Sequence, residues 1–345
     1  MTQPKKKSPN VFLLLVTIYV LLVATAWGQA PSMAPPPVSG RAVSPETILP
    51  ADVLARVQWF REELEAIRFE MGKPKERRSI QLATDALPHE VYFQAITLFI
   101  KADRLALELT GSTGLRPRPV APSDIRPYHN WALVTAAYDR LVTIKNELGI
   151  QETVSEKAYP PSTKPTEVGQ AIVLANRQLN LMVQRHFSSS DVFQQVSWGI
   201  QYAKALLAHF PGATPSAVSS SFERGKQPGD VFLRLVDCFA RVEEIARLSG
   251  TTVLHLDEKA ARRAVNDFSI EPSDVYDLAT LLVSDLTYLY GTLKDVPPIP
   301  SVPFPGRKFP SHVYQQAGVL LDHLRALEQH VRNNPDWSRE QPAGN

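Results

Sequence analysis

The chain restarts one pattern eight times, and this repetition limits its fold more than any other feature. A proline, a variable residue, an acid and a valine, usually followed by an aromatic, are read at Pro50-Ala51-Asp52-Val53, Pro88-His89-Glu90-Val91-Tyr92, Pro165-Thr166-Glu167-Val168, Pro228-Gly229-Asp230-Val231-Phe232 and Pro272-Ser273-Asp274-Val275-Tyr276, and Pro310-Ser311-His312-Val313-Tyr314 repeats them with histidine in the acid slot. Pro127-Tyr128-His129-Asn130-Trp131 and Ser189-Ser190-Asp191-Val192-Phe193 are degenerate copies. Proline suits the first turn of a helix because its missing N–H would have been unpaired there, and an acid two residues on meets the positive end of the helix dipole. Each copy is therefore a helix start.

Counted from the proline, positions +3, +7, +10, +14 and +17 form one apolar seam, with steps of four and three residues. The +17 column is Ile67, Leu105, Ile144, Met182, Leu206, Ile245, Leu289 and Leu327. The +14 column is Leu64, Ala102, Leu141, Leu179, Ala203, Val242, Leu286 and Leu324. Glycines at Gly72, Gly111, Gly149, Gly212, Gly250 and Gly291 stand where left-handed C-terminal caps belong, so each helix is about 22 residues, roughly 33 Å, long.

The starts are spaced 38, 39, 38, 24, 39, 44 and 38 residues apart. The single short interval divides the helices into two sets of four, an internal duplication with halves at residues 48–187 and 188–333. We expect an all-α fold of two tandem four-helix bundles joined by long proline-rich linkers, with a continuous eight-helix array as the other packing of the same helices. Residues 188–190 leave room only for a reversal of direction. The other linkers, about 14 residues each, reach roughly 46–50 Å when extended, so parallel and up-down orders are both open. The longest, residues 251–271, holds Asp257-Glu258-Lys259-Ala260-Ala261-Arg262-Arg263-Ala264, read as a short extra helix. Linker residues 296–305 are expected to pack through Ile299, Val302 and Phe304, and residues 334–345 to be a disordered tail.

Residues 1–30 read as a signal peptide. Lys5-Lys6-Lys7 precedes an apolar run over residues 11–27, and Gly28-Gln29-Ala30 offers small residues at the positions a signal peptidase reads, predicting cleavage after Ala30. The run is also long enough to stay as a membrane tether if uncleaved. Residues 31–47 form a proline-rich tether. Three of the 37 basic residues are Lys5, Lys6 and Lys7, and without them the formal charge falls from +2 to about −1, which argues against nucleic-acid binding. The single cysteine, Cys238, allows no intramolecular disulfide and lies in the +10 seam, where a small core residue belongs.

No P-loop, dinucleotide fingerprint or Ser-His-Asp signature is present, so the chain is expected to be non-enzymatic and without cofactor. The repeated acid is a dipole partner, and without Glu-x-x-His or H-x-x-x-H spacing no metal site is expected. The third start departs most from the repeat. Asn130 replaces valine beside Tyr128, His129 and Trp131, with Arg126 just upstream, a combination suited to a polar ligand pocket. Lys73, Lys75, Arg77 and Arg78 form a basic cluster for an anionic surface or partner, and Arg262-Arg263 a smaller one. The expectation is an exported binding or scaffold protein of a bacterial-type cell envelope, periplasmic or extracellular, meeting another envelope protein or a polysaccharide. The alternative is an extracytoplasmic small-molecule sensor with its ligand at Asn130.

Overall fold

The computed structural model describes residues 45–77, 83–84, 86–118, 120, 124–152, 154–155, 157–184, 186–210, 213, 221–267, 269–293, 296–334 and 337. The N-terminal export segment, and Arg78 of the basic cluster, lie outside these residues. Nine α-helices are seen among them: α1 (Pro50–Glu70), α2 (Pro88–Thr110), α3 (Pro127–Leu148), α4 (Pro165–Met182), α5 (Ser189–Ala208), α6 (Pro228–Leu248), α7 (Glu258–Asp267), α8 (Pro272–Gly291) and α9 (Pro310–Asn333). Eight begin at the repeated motif, and α7 is the extra helix of the longest linker. No described helix is long and apolar enough to cross a membrane.

The acid slot is a cap as well as a dipole partner. The carboxylates of Asp52, Glu90, Glu167, Asp191, Asp230 and Asp274 each accept the backbone N–H three residues before them. That N–H is one of the donors a helix start leaves without an intrahelical partner. In α3 and α9 a histidine takes the role: His129 Nδ1 accepts from Arg126 N at 3.0 Å, and His312 Nδ1 from Phe309 N at 3.2 Å. At the other end, Gly111 and Gly149 adopt φ of 71° and 70°, closing α2 and α3 in the left-handed conformation that residues with a Cβ avoid. Gly291 departs from expectation. It is the last helical residue of α8, and Thr292 follows it with right-handed φ of −78°.

Each set of four helices is parallel. Pro50, Val53, Pro88, Val91, Pro127, Asn130, Pro165 and Val168, the first turns of α1 to α4, line a single small cavity. The first turns of α5, α6, α8 and α9 line another. In both sets the first and second helices are diagonal, and each packs on the third and fourth: α1 and α2 on α3 and α4, α5 and α6 on α8 and α9. The two halves therefore share a topology as well as a sequence pattern. With all four helices running the same way, each seam column becomes a horizontal layer, and the +14 and +17 columns are buried throughout. Side-chain volumes compensate within a layer. A Cβ on Gly199 would sit 3.1 Å from Leu320 Cδ2, both residues belonging to the +10 column.

The two bundles run antiparallel to one another and meet through α2 and α8. His89 at the start of α2 faces Asp285 late in α8, while Lys101 farther along α2 meets Asp277 near the start of α8. The chain reverses between α4 and α5 as the short linker requires, yet α4 packs mainly on α1 and α2, and α5 on α8 and α9. A two-residue antiparallel bridge, Ala83–Thr84 with His255–Leu256, adds a tie between the linkers of the two halves. Linker residues Val296 and Ile299 pack on the second core, and Tyr290 Oη donates to Pro297 O at 2.6 Å, whereas Phe304 is 58% exposed instead of packed. The C-terminal segment is likewise ordered at Trp337. Its ring is buried against Phe210, and its Nε1 donates to Ser249 Oγ at 2.7 Å.

Candidate functional site

The residues around Asn130 are neighbours with separate partners. Asn130 points to the axis of the first bundle and is buried, with Nδ2 donating to Pro88 O over 3.4 Å while Oδ1 has no hydrogen bond. The cavity beside it is about 20 Å³, room for one water. Trp131 turns instead to the Arg56 guanidinium, which lies 5.2 Å from its ring and 4.8 Å from that of Trp59. Tyr128 stacks alongside Trp131 at 6.4 Å. His129 is engaged in capping, and burial followed by the nearby Arg126 charge lowers its pKa below the usual histidine value, as its acceptor role requires. Arg126 donates through Nη1 to Ile125 O.

The basic cluster lies on the segment leaving α1. Lys75 pairs with Glu65 at 3.3 Å, Arg68 Nη1 donates to the Lys73 carbonyl, and Arg77 is exposed. Gln178 of α4 pins this segment from both sides, accepting from Glu76 N and donating to Pro74 O. Arg262 pairs with Asp237 of α6 at 2.6 Å. Cys238 is fully buried, and burial pushes its thiol far above the usual range.

The second bundle carries an open cleft of about 680 Å³ between the C-terminal half of α6, residues 251–258 and the end of α9. Its wall is a ladder of alternating charge. Arg241 meets Glu328 at 2.9 Å, Glu328 meets Arg332 at 2.8 Å, Arg332 meets Glu244 at 2.9 Å, and Glu244 meets Arg247 at 2.7 Å. Hydrogen bonding from Arg247 holds the Glu244 carboxyl at about 2 against the opposing effect of burial, with further support from Arg332. Across the cleft, Glu243 faces His255 at 3.2 Å and accepts from Leu256 N.

A second cluster, absent from sequence expectations, lies where the bundles meet. Lys101 is fully buried, with Nζ 2.5 Å from Asp277 Oδ1 and 3.4 Å from Asn176 O. Asn180 Nδ2 donates to the other Asp277 oxygen at 3.1 Å. Burial lowers the Lys101 pKa, and Asp277 opposes that shift. At the far end of the junction His89 Nε2 lies 3.0 Å from Glu90 Oε1 and 3.7 Å from Asp285 Oδ1. The Tyr288 ring stacks on the imidazole with centroids 3.8 Å apart and planes 8° from parallel. Burial works against the imidazolium, yet the flanking Asp285 and Glu90 outweigh it and raise the His89 pKa to about 9. Burial likewise lifts the Asp285 carboxyl well above the carboxylate range; His89 pulls it back, while the Glu90 charge adds to the rise.

Two of these residues, Lys101 and Asp285, share a register that could have been noticed in the sequence. The +13 column, one place before the +14 seam, reads Glu63, Lys101, Arg140, Gln178, Tyr202, Arg241, Asp285 and His323. Five of the eight, Glu63, Lys101, Arg140, Asp285 and His323, are buried. Glu63 pairs with Lys145 and Arg140 with Asp103, so several +13 residues form polar contacts between helices at the edge of the seam. Searches for short local motifs pass over them because their partners come from other repeats. No known protein family, curated protein or solved structure matches the chain.

Proposed function

We propose that this is an exported, non-enzymatic scaffold or binding protein of a bacterial-type cell envelope, and that it holds an envelope protein in the cleft at the C-terminal end of its second bundle. The observation that carries this reading is the Arg241–Glu328–Arg332–Glu244–Arg247 ladder lining an opening of about 680 Å³. Its charged side chains already neutralise one another, which suits recognition of a segment of mixed charge by exchange of ion pairs. A uniformly anionic polysaccharide would meet Glu244 and Glu328 as repulsive neighbours, so a protein segment is the better complement. Export rests on the basic and apolar order of residues 1–30.

The test is crosslinking of the tagged protein in intact envelopes of its host, with partners identified by mass spectrometry, alongside an Arg332→Glu, Glu244→Arg variant. A stoichiometric envelope partner captured by the wild type and lost by the charge-reversed variant is the expected result. Equal capture by both, or a protein recovered from the cytoplasm with residues 1–30 intact, would overturn the reading.

A further inference from the structure

We propose that His89, Glu90 and Asp285 bind one divalent transition-metal ion, zinc by ligand chemistry, which clamps the two bundles together. Three potential ligand atoms, one from each residue, lie within 4.8 Å of one another, and all three side chains are buried. The convergence is unusual in its bonding. His89 Nε2 contacts Glu90 Oε1 at 3.0 Å and Asp285 Oδ1 at 3.7 Å as an ion pair, yet none of these buried atoms, nor Asp285 Oδ2, makes a well-directed hydrogen bond. Buried polar atoms nearly always have one, and a metal ion held by one atom from each of the three side chains would supply the directed bonding that the ion pair lacks.

The geometry fits. Tetrahedral zinc with bonds of about 2.0–2.1 Å places its ligand atoms roughly 3.3–3.4 Å apart. The observed separations from His89 Nε2, 3.0 Å to Glu90 and 3.7 Å to Asp285, fall on either side of that value. One imidazole and two carboxylates form a three-ligand set that leaves a fourth position for water, whereas calcium and magnesium prefer six or more oxygens. The ligands are also oriented from behind. Glu90 Oε2 is held by the Leu87 N–H, which turns Oε1 toward the cluster, and Tyr288 fixes the plane of the imidazole. Glu90 is the only buried member of the acid slot, the others being half-buried or exposed. Its second oxygen is thus available for a role that the other caps lack.

Two ligands come from α2 of the first bundle and one from α8 of the second, so a complete site exists only when the bundles are docked. Metal binding and docking are consequently linked, each favouring the other. The ion neutralises two buried carboxylates at a junction that Lys101 and Asp277 also join.

The test uses purified full-length protein, stripped with a chelator and titrated with zinc against a chromophoric competitor, then with cobalt as a spectroscopic substitute. One zinc per chain is expected, with visible cobalt absorption of tetrahedral type, and His89→Gln and Asp285→Asn should each weaken binding at least about tenfold. Calcium and magnesium should not compete. The controls are His323→Gln, another buried histidine, and His255→Gln on the surface; both should bind zinc as the wild type does. If Asp285→Asn does not fold, His89→Gln with an unchanged far-UV spectrum suffices. Zinc binding that is absent in the wild type, that survives His89→Gln, or that is lost with His255→Gln overturns the proposal.

Discussion

Replacing Asn130 with valine should stabilise the protein. Asn130 occupies the +3 layer with Val53, Val91 and Val168, each buried at the entrance of the first bundle. Its Oδ1 lacks a partner and its Nδ2 reaches the Pro88 carbonyl only at 3.4 Å. A buried amide oxygen without a hydrogen bond costs about 1–3 kcal/mol, while one long hydrogen bond returns about 0.5–1 kcal/mol. Losing that bond does not strand the Pro88 carbonyl, which also lies in the first turn of α2 and accepts along the helix. Valine therefore gains about 1–2 kcal/mol, or roughly 2–3 °C in Tm for a body of this size. Scanning calorimetry of the wild type and Asn130→Val measures the shift, and urea titration checks it independently. A loss of stability above about 1 kcal/mol would refute the reasoning, because it would show that a water in the cavity completes an obligatory network through Oδ1.

The same structure sets other outcomes. Leu286→Asp places a charge in a fully buried layer and should unfold the second bundle, with a loss above about 4 kcal/mol seen by circular dichroism; an unaltered melting curve would mean that the layer is not core. His129 caps α3 as the neutral imidazole, and its folded pKa lies below its unfolded value. Its contribution is therefore present above about pH 6.5 and lost as pH falls through the folded pKa. His129→Asp, which restores the acid slot, should gain about 0.5–1 kcal/mol at pH 5 relative to pH 8 in paired urea titrations; an equal effect at both pH values would contradict the cap assignment. Trp337→Ala removes a buried indole and its bond to Ser249, for an expected loss of about 3–5 kcal/mol by chemical denaturation. The Cys238 thiol should stay unreactive toward a disulfide reagent until denaturant opens the second bundle, and fast labelling of native protein would contradict its burial.

What the amino-acid sequence determined by itself is everything governed by neighbours along the chain. Proline, an acid or both mark eight helix starts, a four-three alternation marks the face each helix buries, and glycine marks several ends; these are short-range effects, fixed within a few residues. Even Asn130 is legible as a break in its column, although only the tertiary structure shows that it faces a cavity of about 20 Å³. Helix direction was decided by the tertiary structure. A linker of about 14 residues can return the chain to the starting end or leave it at the far end, and closure entropy changes too slowly with length to choose between them. Packing of matched layers, such as Gly199 under Leu320, made the choice in favour of parallel helices. The junction was hidden for a related reason. His89 and Glu90 lie in the second repeat and Asp285 in the seventh, so no local spacing relates them, and they meet only because the bundles dock antiparallel through α2 and α8.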